Sequence, residues 1–319
     1  PVFGTHFGWE HPYSNHWTGY GHLPTAPISG PVFHGSGTGV VFYDHPHFPE
    51  PYRRAFFIND WMHGTYVYRP TWEGALRMPA GGKWEPFAIR GEYLYRPTDM
   101  EFGPDGTLYV CGWGGDYHYQ PGEEGSWVYR IQSQENRPAT RSDWYATKYH
   151  VPYSEWTLSQ LVEDLTASTL PVWRVKAQDE IVRRGESVRD PLVVLLEDGR
   201  LDRSQATWII WSLGRIGATD PFVQSWLTNA AGSPQTSLNL SLQAIRIWAH
   251  WIRNGEFTGT LPDPVIQRLQ DPHPRIRQEV IQAIWQARQS QRVPELVEWL
   301  PRETDQLNFY CAWGALRDL

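Results

Sequence analysis

The sequence predicts a multidomain β plus α protein, in which the C-terminal blades of a β-propeller precede a HEAT-like α-solenoid. Two observations support this prediction. Gly and Pro make up 35 of the first 150 residues but only 19 of the last 169, and these residue types separate short strands. Leucines then recur in the second part at a nearly constant spacing, as in stacked helical repeats. We therefore predict propeller blades in residues 1–133, a linker in 134–156 and helical repeats in 157–319.

Composition and charge argue against several classes of protein. The chain has 319 residues and a formal net charge of −7, which disfavours a nucleic-acid or anionic-membrane partner. No apolar run approaches the ~18 residues that a transmembrane helix needs. Cys111 and Cys311 are too far apart in sequence to indicate a disulfide framework or a C-x-x-C motif. Because the chain begins at Pro1 and ends directly after an apolar helix, we expect a fragment of a longer protein.

The first part contains short apolar runs separated by turn residues, which is typical of β-strands. These runs are TGVVFY, RRAFFIND, GTYVYRP, KWEPFAI, TDMEF, TLYVCGW and SWVYRIQ. AFFINDW and TLYVCGW are each followed by a Gly-containing loop and then by a V-Y-R strand, so one unit is repeated. A repeated unit of this size indicates propeller blades, and two units are too few for a ring of about four to eight blades.

The second part has the pattern of paired helices, with apolar residues at i, i+3 or i+4, and i+7. Gly185, Gly199 and Gly217 stand where helix C-caps belong. The first helices of the pairs carry leucines with gaps of 31, 31, 42 and 31 residues, at Leu165, Leu196, Leu227, Leu269 and Leu300. This period indicates a HEAT-type α-solenoid, a fold whose surface can bind a partner protein.

The stretch RPTDMEFGPDGTLYV joins a tight turn to charged residues at the start of a strand. Asp105 and Gly106 favour the positive φ angles of a hairpin turn, so we assign GPDG a structural role only. Arg96 has two interpretations. It holds an anionic ligand at the axis of the predicted propeller, or it pairs with Asp99 or Asp60 at the start of an inner strand and fixes the loop. Asp99 likewise either contacts a ligand or accepts N–H bonds from the loop.

Two segments carry a resemblance to a known family, HGSGTGVVFYDHPHFPEPYRRAFFINDWMHGTYVYR and YRPTDMEFGPDGTLYVCGW. They resemble the glucose/sorbosone-type quinoprotein dehydrogenase propeller. The likeness extends to large multidomain bacterial proteins described as membrane-bound dehydrogenases, in which HEAT repeats follow the propeller. LVEDLTASTLPVWRVKAQDEIVRRG and QATWIIWSLGRIG are similar to that HEAT segment, so the resemblance spans nearly the whole chain.

This resemblance implies an enzyme that oxidises a sugar-like or alcohol hydroxyl. In the family, pyrroloquinoline quinone (PQQ) lies near the axis of a six-bladed propeller, where cationic side chains hold its carboxylates. A calcium ion polarises the quinone as a Lewis acid, and a His accepts the proton of the substrate hydroxyl. Electrons pass to a c-type cytochrome domain, which would lie outside this chain. The resemblance also implies an extracytoplasmic location.

The family's site residues are carried over only in part. Arg96 and Asp99 fall on the first Arg and on the Asp of an Arg-x-Arg-Asp pattern, and the resemblance assigns both to cofactor binding. Thr98 stands in place of the second Arg, and Met62 stands in place of a Lys. His63, next to Met62, is the candidate for catalytic proton transfer. The family's general base and calcium loop belong to earlier blades outside this chain.

The other histidines and the tryptophans each allow a functional and a structural interpretation. His45 and His47 alternate as in an exposed strand or loop, and could also hold a metal. The N-terminal histidines recur every five or six residues without a strand or helix period that would bring them together, at His6, His11, His16 and His22. The 18 Trp and 16 Tyr residues serve either packing or a carbohydrate-facing surface. We expect packing for the helical group Trp208, Trp211, Trp248, Trp251 and Trp285.

Two hypotheses about function follow. The first is that the chain belongs to a PQQ-type sugar or alcohol dehydrogenase. The alternative is a non-catalytic propeller that binds carbohydrate or protein, with the HEAT repeats as a scaffold for protein interaction.

Overall fold

The computed structural model describes residues 37–45, 47–61, 63–79, 85–89, 96–103, 105–113, 126–135, 150–167 and 171–319. The chain divides into two compact units. One is built on Val151–Leu319, and the other holds most of the chain before it.

The unit that precedes residue 151 is built from antiparallel strands. Their bounds are β1 (Gly37–Tyr43), β2 (Ala55–Asp60), β3 (Gly64–Tyr68), β4 (Pro70–Glu73), β5 (Leu76–Pro79), β6 (Glu85–Ile89), β7 (Pro97–Phe102), β8 (Leu108–Gly112) and β9 (Trp127–Ile131). The strands form a four-stranded sheet in the order β1-β2-β3-β6, a two-stranded sheet of β4 and β5, and a three-stranded sheet in the order β7-β8-β9. In β8 burial alternates strictly from residue to residue, because successive side chains of a strand point to opposite faces.

An aromatic core joins the four-stranded and three-stranded sheets. The ring of Tyr43 stacks on Phe48 with 4.5 Å between centroids, and Phe57 meets Phe87 edge to face at 4.8 Å. The Tyr43 hydroxyl donates to the backbone oxygen of Gly106 at 2.6 Å. The Gly106 residue lies at φ +78° with His45 packed against its Cα, where a Cβ would clash. The turn between β7 and β8 is therefore structural, as its residues predicted.

The β-propeller prediction is wrong. The described strands form small separate antiparallel sheets of four, two and three strands, and these sheets do not close into a barrel or a propeller. The repeated V-Y-R motif falls on β3 and β9, each of which is the third strand of an antiparallel meander. Local alternation specifies a meander, whereas ring closure depends on contacts between distant segments, so the motif alone did not establish a propeller.

The unit built on Val151–Leu319 is helical. Its α-helices are α1 (Leu158–Ala167), α2 (Pro171–Arg184), α3 (Arg189–Glu197), α4 (Arg203–Ile216), α5 (Pro221–Gly232), α6 (Leu238–Arg253), α7 (Asp263–Gln267), α8 (Pro274–Gln286), α9 (Val293–Trp299) and α10 (Gln306–Asp318). They follow one another as five pairs, with α1, α3, α5, α7 and α9 as first helices and the others as second helices. No helix in the described part of the chain is long and apolar enough to cross a membrane.

Side-chain caps start most of these helices. The Asp202 side chain accepts from the Gln205 backbone while the Gln205 side chain accepts from the Asp202 backbone, which makes a capping box for α4. The helices α5, α6 and α10 each have one capping side chain, which accepts from backbone N–H groups of the first turn. These side chains belong to Asp220, Ser237 and Asp305. Such caps satisfy backbone N–H groups that have no partner inside the helix.

The predicted leucine period follows the first helices of the pairs. Leu165 and Leu196 are buried near the ends of α1 and α3, Leu227 is buried within α5, and Leu269 is buried in the turn after α7. Leu300, in the turn after α9, is partly buried. The prediction of a solenoid-like helical region is therefore confirmed. The second helices α2, α4, α6, α8 and α10 pack against each other in series.

The contact between α4 and α6 is particularly close. A Cβ on Gly214 would lie 2.9 Å from Ile247 Cδ1, so glycine permits this approach. The indole of Trp251 is 1% exposed, and its Nε1 donates to the Gly214 oxygen at 2.9 Å. The second helices thus form one continuous layer, and the contacts between neighbouring helices are buried.

The residues before α1 pack on the first helix pair. Tyr153 and Trp156 stack with centroids 4.5 Å apart, and the Tyr153 hydroxyl donates to buried Asp164 at 3.0 Å. Arg184 donates to the Trp156 backbone oxygen at 2.6 Å. Residues 151–156, which the sequence predicted as the end of a linker, therefore contact α1 and α2 directly.

Candidate functional site

The turn from β2 to β3 positions His63 against a buried carboxylate. Asp60, the last residue of β2, is 1% exposed, and its Oδ1 lies 3.1 Å from His63 Nδ1. The His63 backbone N–H also donates to the Asp60 carbonyl at 3.2 Å. About half of the His63 side chain is exposed, so the imidazole can be reached from solvent. This geometry suits proton transfer, and a catalytic role for His63 stays a prediction.

Arg96 lies at the start of β7 among indoles. Its guanidinium carbon is 4.4 Å from the centroid of the Trp61 ring, a cation–π distance. Its backbone oxygen accepts from the Trp113 N–H at 2.8 Å, and the two indoles meet edge to face at 6.5 Å. We call Asp60, Trp61, His63, Arg96 and Trp113 the strand-end cluster. The sequence did not predict the stacking, because Trp61 and Arg96 are far apart along the chain.

Asp99 lies within β7 and has a local structural contact. Its Oδ1 accepts from the Met100 N–H at 2.8 Å, and a Cβ built on Gly39 of β1 would lie 3.1 Å from the same oxygen. Thr98, which stands in place of a family Arg, donates to the Cys111 oxygen at 3.3 Å. Cofactor binding by Arg96 and Asp99 stays a prediction, and Met62 lies outside the described residues.

His45 and His47 are buried, so the expectation of an exposed strand or loop is wrong. His45 Nδ1 accepts from the His47 N–H at 3.0 Å, and His47 Nε2 accepts from the Ser133 N–H at 3.1 Å. These bonds give both imidazoles a structural role. Among the described residues, no group of three or more His, Cys, Asp or Glu side chains could hold a metal ion. The four N-terminal histidines lie outside those residues.

A second candidate site is the surface of the helical unit formed by the second helices. Its members are partly or fully exposed and recur about every three to four residues along their helices. We call this surface the second-helix face, and it comprises Asp179, Thr207, Trp208, Trp211, Arg215, Asn239, Arg246, His250, Arg253, Gln282 and Trp285.

Polar contacts between neighbouring helices hold the centre of this face. Trp211 Nε1 donates to Gln243 Oε1 at 2.9 Å, and its ring meets His250 edge to face at 5.7 Å. Asn239 Nδ2 donates to Thr207 Oγ1 at 3.1 Å. Indole, imidazole and amide groups of α4 and α6 are therefore held in fixed positions.

Ion pairs extend the face to both sides of this centre. Arg215 Nη2 donates to Asp179 of α2 at 2.8 Å, and Arg246 Nη2 donates to Glu279 of α8 at 2.6 Å. Burial lowers the pKa of Arg246, but the charge of Glu279 and their hydrogen bond outweigh it and raise the pKa above the ordinary value. Arg215 and Arg246 each remain 41% exposed at the side chain.

Charge is divided between the two helix layers. The five second helices contain eleven Arg or Lys and four Asp or Glu. The five first helices contain one Arg and seven Asp or Glu. The second-helix layer is thus basic within a chain whose net charge is −7.

Part of the tryptophan prediction is wrong. Trp248 and Trp251 fill the helical core, at 3% and 1% exposure, but Trp208, Trp211 and Trp285 are partly exposed on the second-helix face. A signal for Trp211 was present in the sequence. It lies four residues after Thr207 and four before Arg215, so it belongs to a polar stripe of α4.

Comparisons with known proteins do not assign this chain to a family. No protein-family model matches the chain, and no curated protein matches it. Three chains of solved structures match. One belongs to the complex of CpcE and CpcF of phycocyanin lyase from Nostoc sp. PCC7120, with 17% sequence identity, a TM-score of 0.37, and coverage of 50% of this chain and 96% of that chain.

The resemblance to quinoprotein dehydrogenases is wrong, and so is the sugar dehydrogenase function that it implied. No dehydrogenase family model matches, and the described strands do not close into a propeller. The matching segments were mainly hairpin and helix-repeat patterns, which recur in unrelated proteins. PQQ, calcium, a c-type cytochrome domain and an extracytoplasmic location rested on that resemblance alone.

Proposed function

We propose that this chain is a HEAT-like scaffold that binds a protein partner along the second-helix face. The observation that supports this proposal is the row of indole, amide and guanidinium groups held at the exposed surface by contacts between α2, α4, α6 and α8. A helical repeat unit presents such a row over an extended surface, which suits a partner segment better than a small molecule.

The residue types of the face suit a polypeptide. Gln282 carries a partly exposed amide that both donates and accepts hydrogen bonds, so it can pair with main-chain N–H and C=O groups. Trp211 and Trp285 offer apolar surface with little loss of side-chain entropy on binding, and Trp and Arg are enriched among residues that dominate interface energies. The fixed positions of these groups reduce the ordering cost of association.

Selection from a displayed library of random peptides tests this proposal on the full chain. We expect enriched peptides to bind the native protein, and we expect Trp211→Ala to weaken that binding at least about tenfold, as for an interface residue of large effect. Trp226→Ala is the matched control, because Trp226 is a partly exposed indole on first helix α5 that donates to Glu197 at 3.0 Å. Circular dichroism and Tm establish that both variants are folded.

Two results would contradict the proposal. The first is a selection that enriches no peptide. The second is a set of enriched peptides whose affinities fall equally in the Trp211 and Trp226 variants, since binding would then not depend on the second-helix face.

A further inference from the structure

We propose that the segment bound on the second-helix face is an acidic polypeptide in an extended conformation. This inference rests on the proposed function and adds the chemistry of the partner. It follows from three features of the face, namely its charge, the free capacity of its guanidinium groups and the spacing of its helices.

The helices α4 and α6, which are neighbours at the middle of the layer, carry cations and no acidic residue of their own. Together these helices contain four Arg and one His but no Asp or Glu. Two of the Arg residues, Arg215 and Arg246, pair with Asp179 and Glu279 of the neighbouring helices, which neutralises part of this charge. The Arg residues are Arg203, Arg215, Arg246 and Arg253. The chain as a whole has a net charge of −7, so this local excess of positive charge opposes the general composition. Complementary charge steers and orients a partner, so a segment rich in Asp or Glu is the one favoured here.

The guanidinium groups of the face retain donors for a partner. Arg246 donates from Nη2 to Glu279, whereas a guanidinium carries five N–H donors. Its side chain is 41% exposed, so a second carboxylate can approach it. Arg253 is exposed at the end of α6, on the same stripe as Arg246 and His250. Arg–carboxylate bonds are charge-assisted and directional.

The helix layer also sets a spacing for the partner. Packed helices lie about 8–10 Å apart, and an extended chain advances about 3.3 Å per residue. A segment crossing the second helices therefore reaches a new helix about every three residues. Acidic residues three positions apart would meet the arginines of α4 and of α6 in turn, while the residues between them would contact the exposed indoles.

A nucleic acid would also supply negative charge, but two observations favour a polypeptide. The acidic first helices and the net charge of −7 repel a long polyanion. The partly exposed amide of Gln282 can both donate to and accept from a peptide main chain, whereas a phosphate oxygen would use only its donors.

Binding of defined peptides to the full chain tests the inference by fluorescence anisotropy. The probes are three labelled peptides of about twelve residues that differ only in carrying Glu, Gln or Lys at every third position. We expect the Glu peptide to bind at least about tenfold more tightly than the Gln peptide, with an affinity that falls as salt is added. The Lys peptide should bind more weakly than both.

Variants locate the site. Arg215→Gln with Arg253→Gln should weaken the Glu peptide about tenfold or more, since both charges lie on the face. Arg246→Gln is combined with Glu279→Gln, so that no buried carboxylate loses its partner, and should also weaken binding. Arg200→Gln with Arg302→Gln is the matched control, because it removes two exposed cations outside the second helices and should leave the affinity unchanged.

Several outcomes would overturn the inference. These are equal affinities for the Glu and Gln peptides, an equal loss in the control variant, absence of binding by the Glu peptide, or tighter binding of a single-stranded RNA of equal length. The proposed function has a separate outcome. Library peptides that lack acidic residues but depend on Trp211 would support the scaffold and refute the acidic partner.

Discussion

Tyr43 shows how one side chain links two sheets. Its ring packs in the aromatic core, and its hydroxyl donates to the Gly106 oxygen in the turn between β7 and β8. Burial raises the pKa of the Tyr43 phenol well above its ordinary value. The hydroxyl therefore stays protonated as a donor at neutral pH. The strand pattern predicted that residue 43 would end a strand, but not that it would bond to a turn 63 residues away.

We predict that Tyr43→Phe lowers the free energy of unfolding by about 1–3 kcal/mol, because the buried Gly106 oxygen loses its donor. Urea denaturation measures this change. Tyr109→Phe is the control, since Tyr109 is 39% exposed and surface changes of this kind cost less than about 0.5 kcal/mol. Equal effects of the two substitutions would contradict a role for the hydroxyl.

His273 caps helix α8 with an imidazole. Its Nδ1 accepts from the Arg275 N–H at 3.2 Å, which requires that nitrogen to be unprotonated. Burial lowers the pKa of His273 below its ordinary value, although the charge of Asp271 opposes this shift. The unfolded chain therefore binds the proton more readily than the folded chain.

We predict that this cap makes stability depend on pH. Its contribution is fully present above the ordinary His pKa of about 6.5 and is lost as the pH falls through the lowered pKa of the folded state. His273→Asn keeps a capping side chain without a titrating group, so it should lose less stability than the native protein between neutral and mildly acidic pH. Urea denaturation at both pH values measures the difference, and identical losses would refute the prediction.

At the level of helices, a buried ion pair that the sequence pattern did not indicate joins α8 to the turn before α10. Arg277 donates to both carboxylate oxygens of Glu303, at 2.8 and 2.7 Å, and to the Asp271 oxygen at 2.8 Å. The Glu303 side chain is 0% exposed and that of Arg277 is 14% exposed. Helix periodicity places Arg277 on α8, but the partner comes from the turn before α10, which only packing brings close.

We predict that Arg277→Met destabilises the protein by about 3–5 kcal/mol, because it leaves a buried carboxylate without its partner. Arg277→Met combined with Glu303→Gln should recover part of that loss. The control is Arg215→Met, since Arg215 pairs with the 56% exposed Asp179 and such surface pairs contribute about 0–1 kcal/mol. Urea unfolding measures the loss of stability of each of the three variants relative to the native protein. A loss for Arg277→Met no larger than that of the control would contradict this prediction.

The helical unit as a whole contains the contacts expected of an independent domain. Its first-helix leucines are buried within it, and the second helices pack in series. Repeat proteins depend mainly on contacts between neighbouring repeats, so we expect the helices to fold without Gly74–Leu76, which also belongs to this unit and bonds to Asp305 through Ala75.

We predict that a fragment spanning Val151–Leu319 folds with a helical circular dichroism spectrum and one cooperative thermal transition. A shorter fragment that starts at Leu158 should have a lower Tm, because it lacks the Trp156 oxygen that Arg184 contacts and the Tyr153 hydroxyl that contacts Asp164. A gradual, non-cooperative melt of the longer fragment would refute this prediction.

The local sequence pattern was sufficient to predict the helical pairs, the antiparallel strands and the Asp105–Gly106 turn. Each of these features depends on residues that are near one another in sequence. The propeller, the quinoprotein resemblance and the exposed His45 and His47 were wrong. Each required knowledge of contacts between segments that are distant in the sequence.

Tertiary packing alone decided the candidate sites. It placed Arg96 on Trp61, left Trp211 partly exposed while it buried Trp251, and brought Arg215, Arg246 and Arg253 to the second-helix face. The sequence contains the charge of each helix, but not which helices share a layer. Burial and the sharing of a surface depend on how the helices pack, and for that reason the second-helix face emerged only from the folded chain.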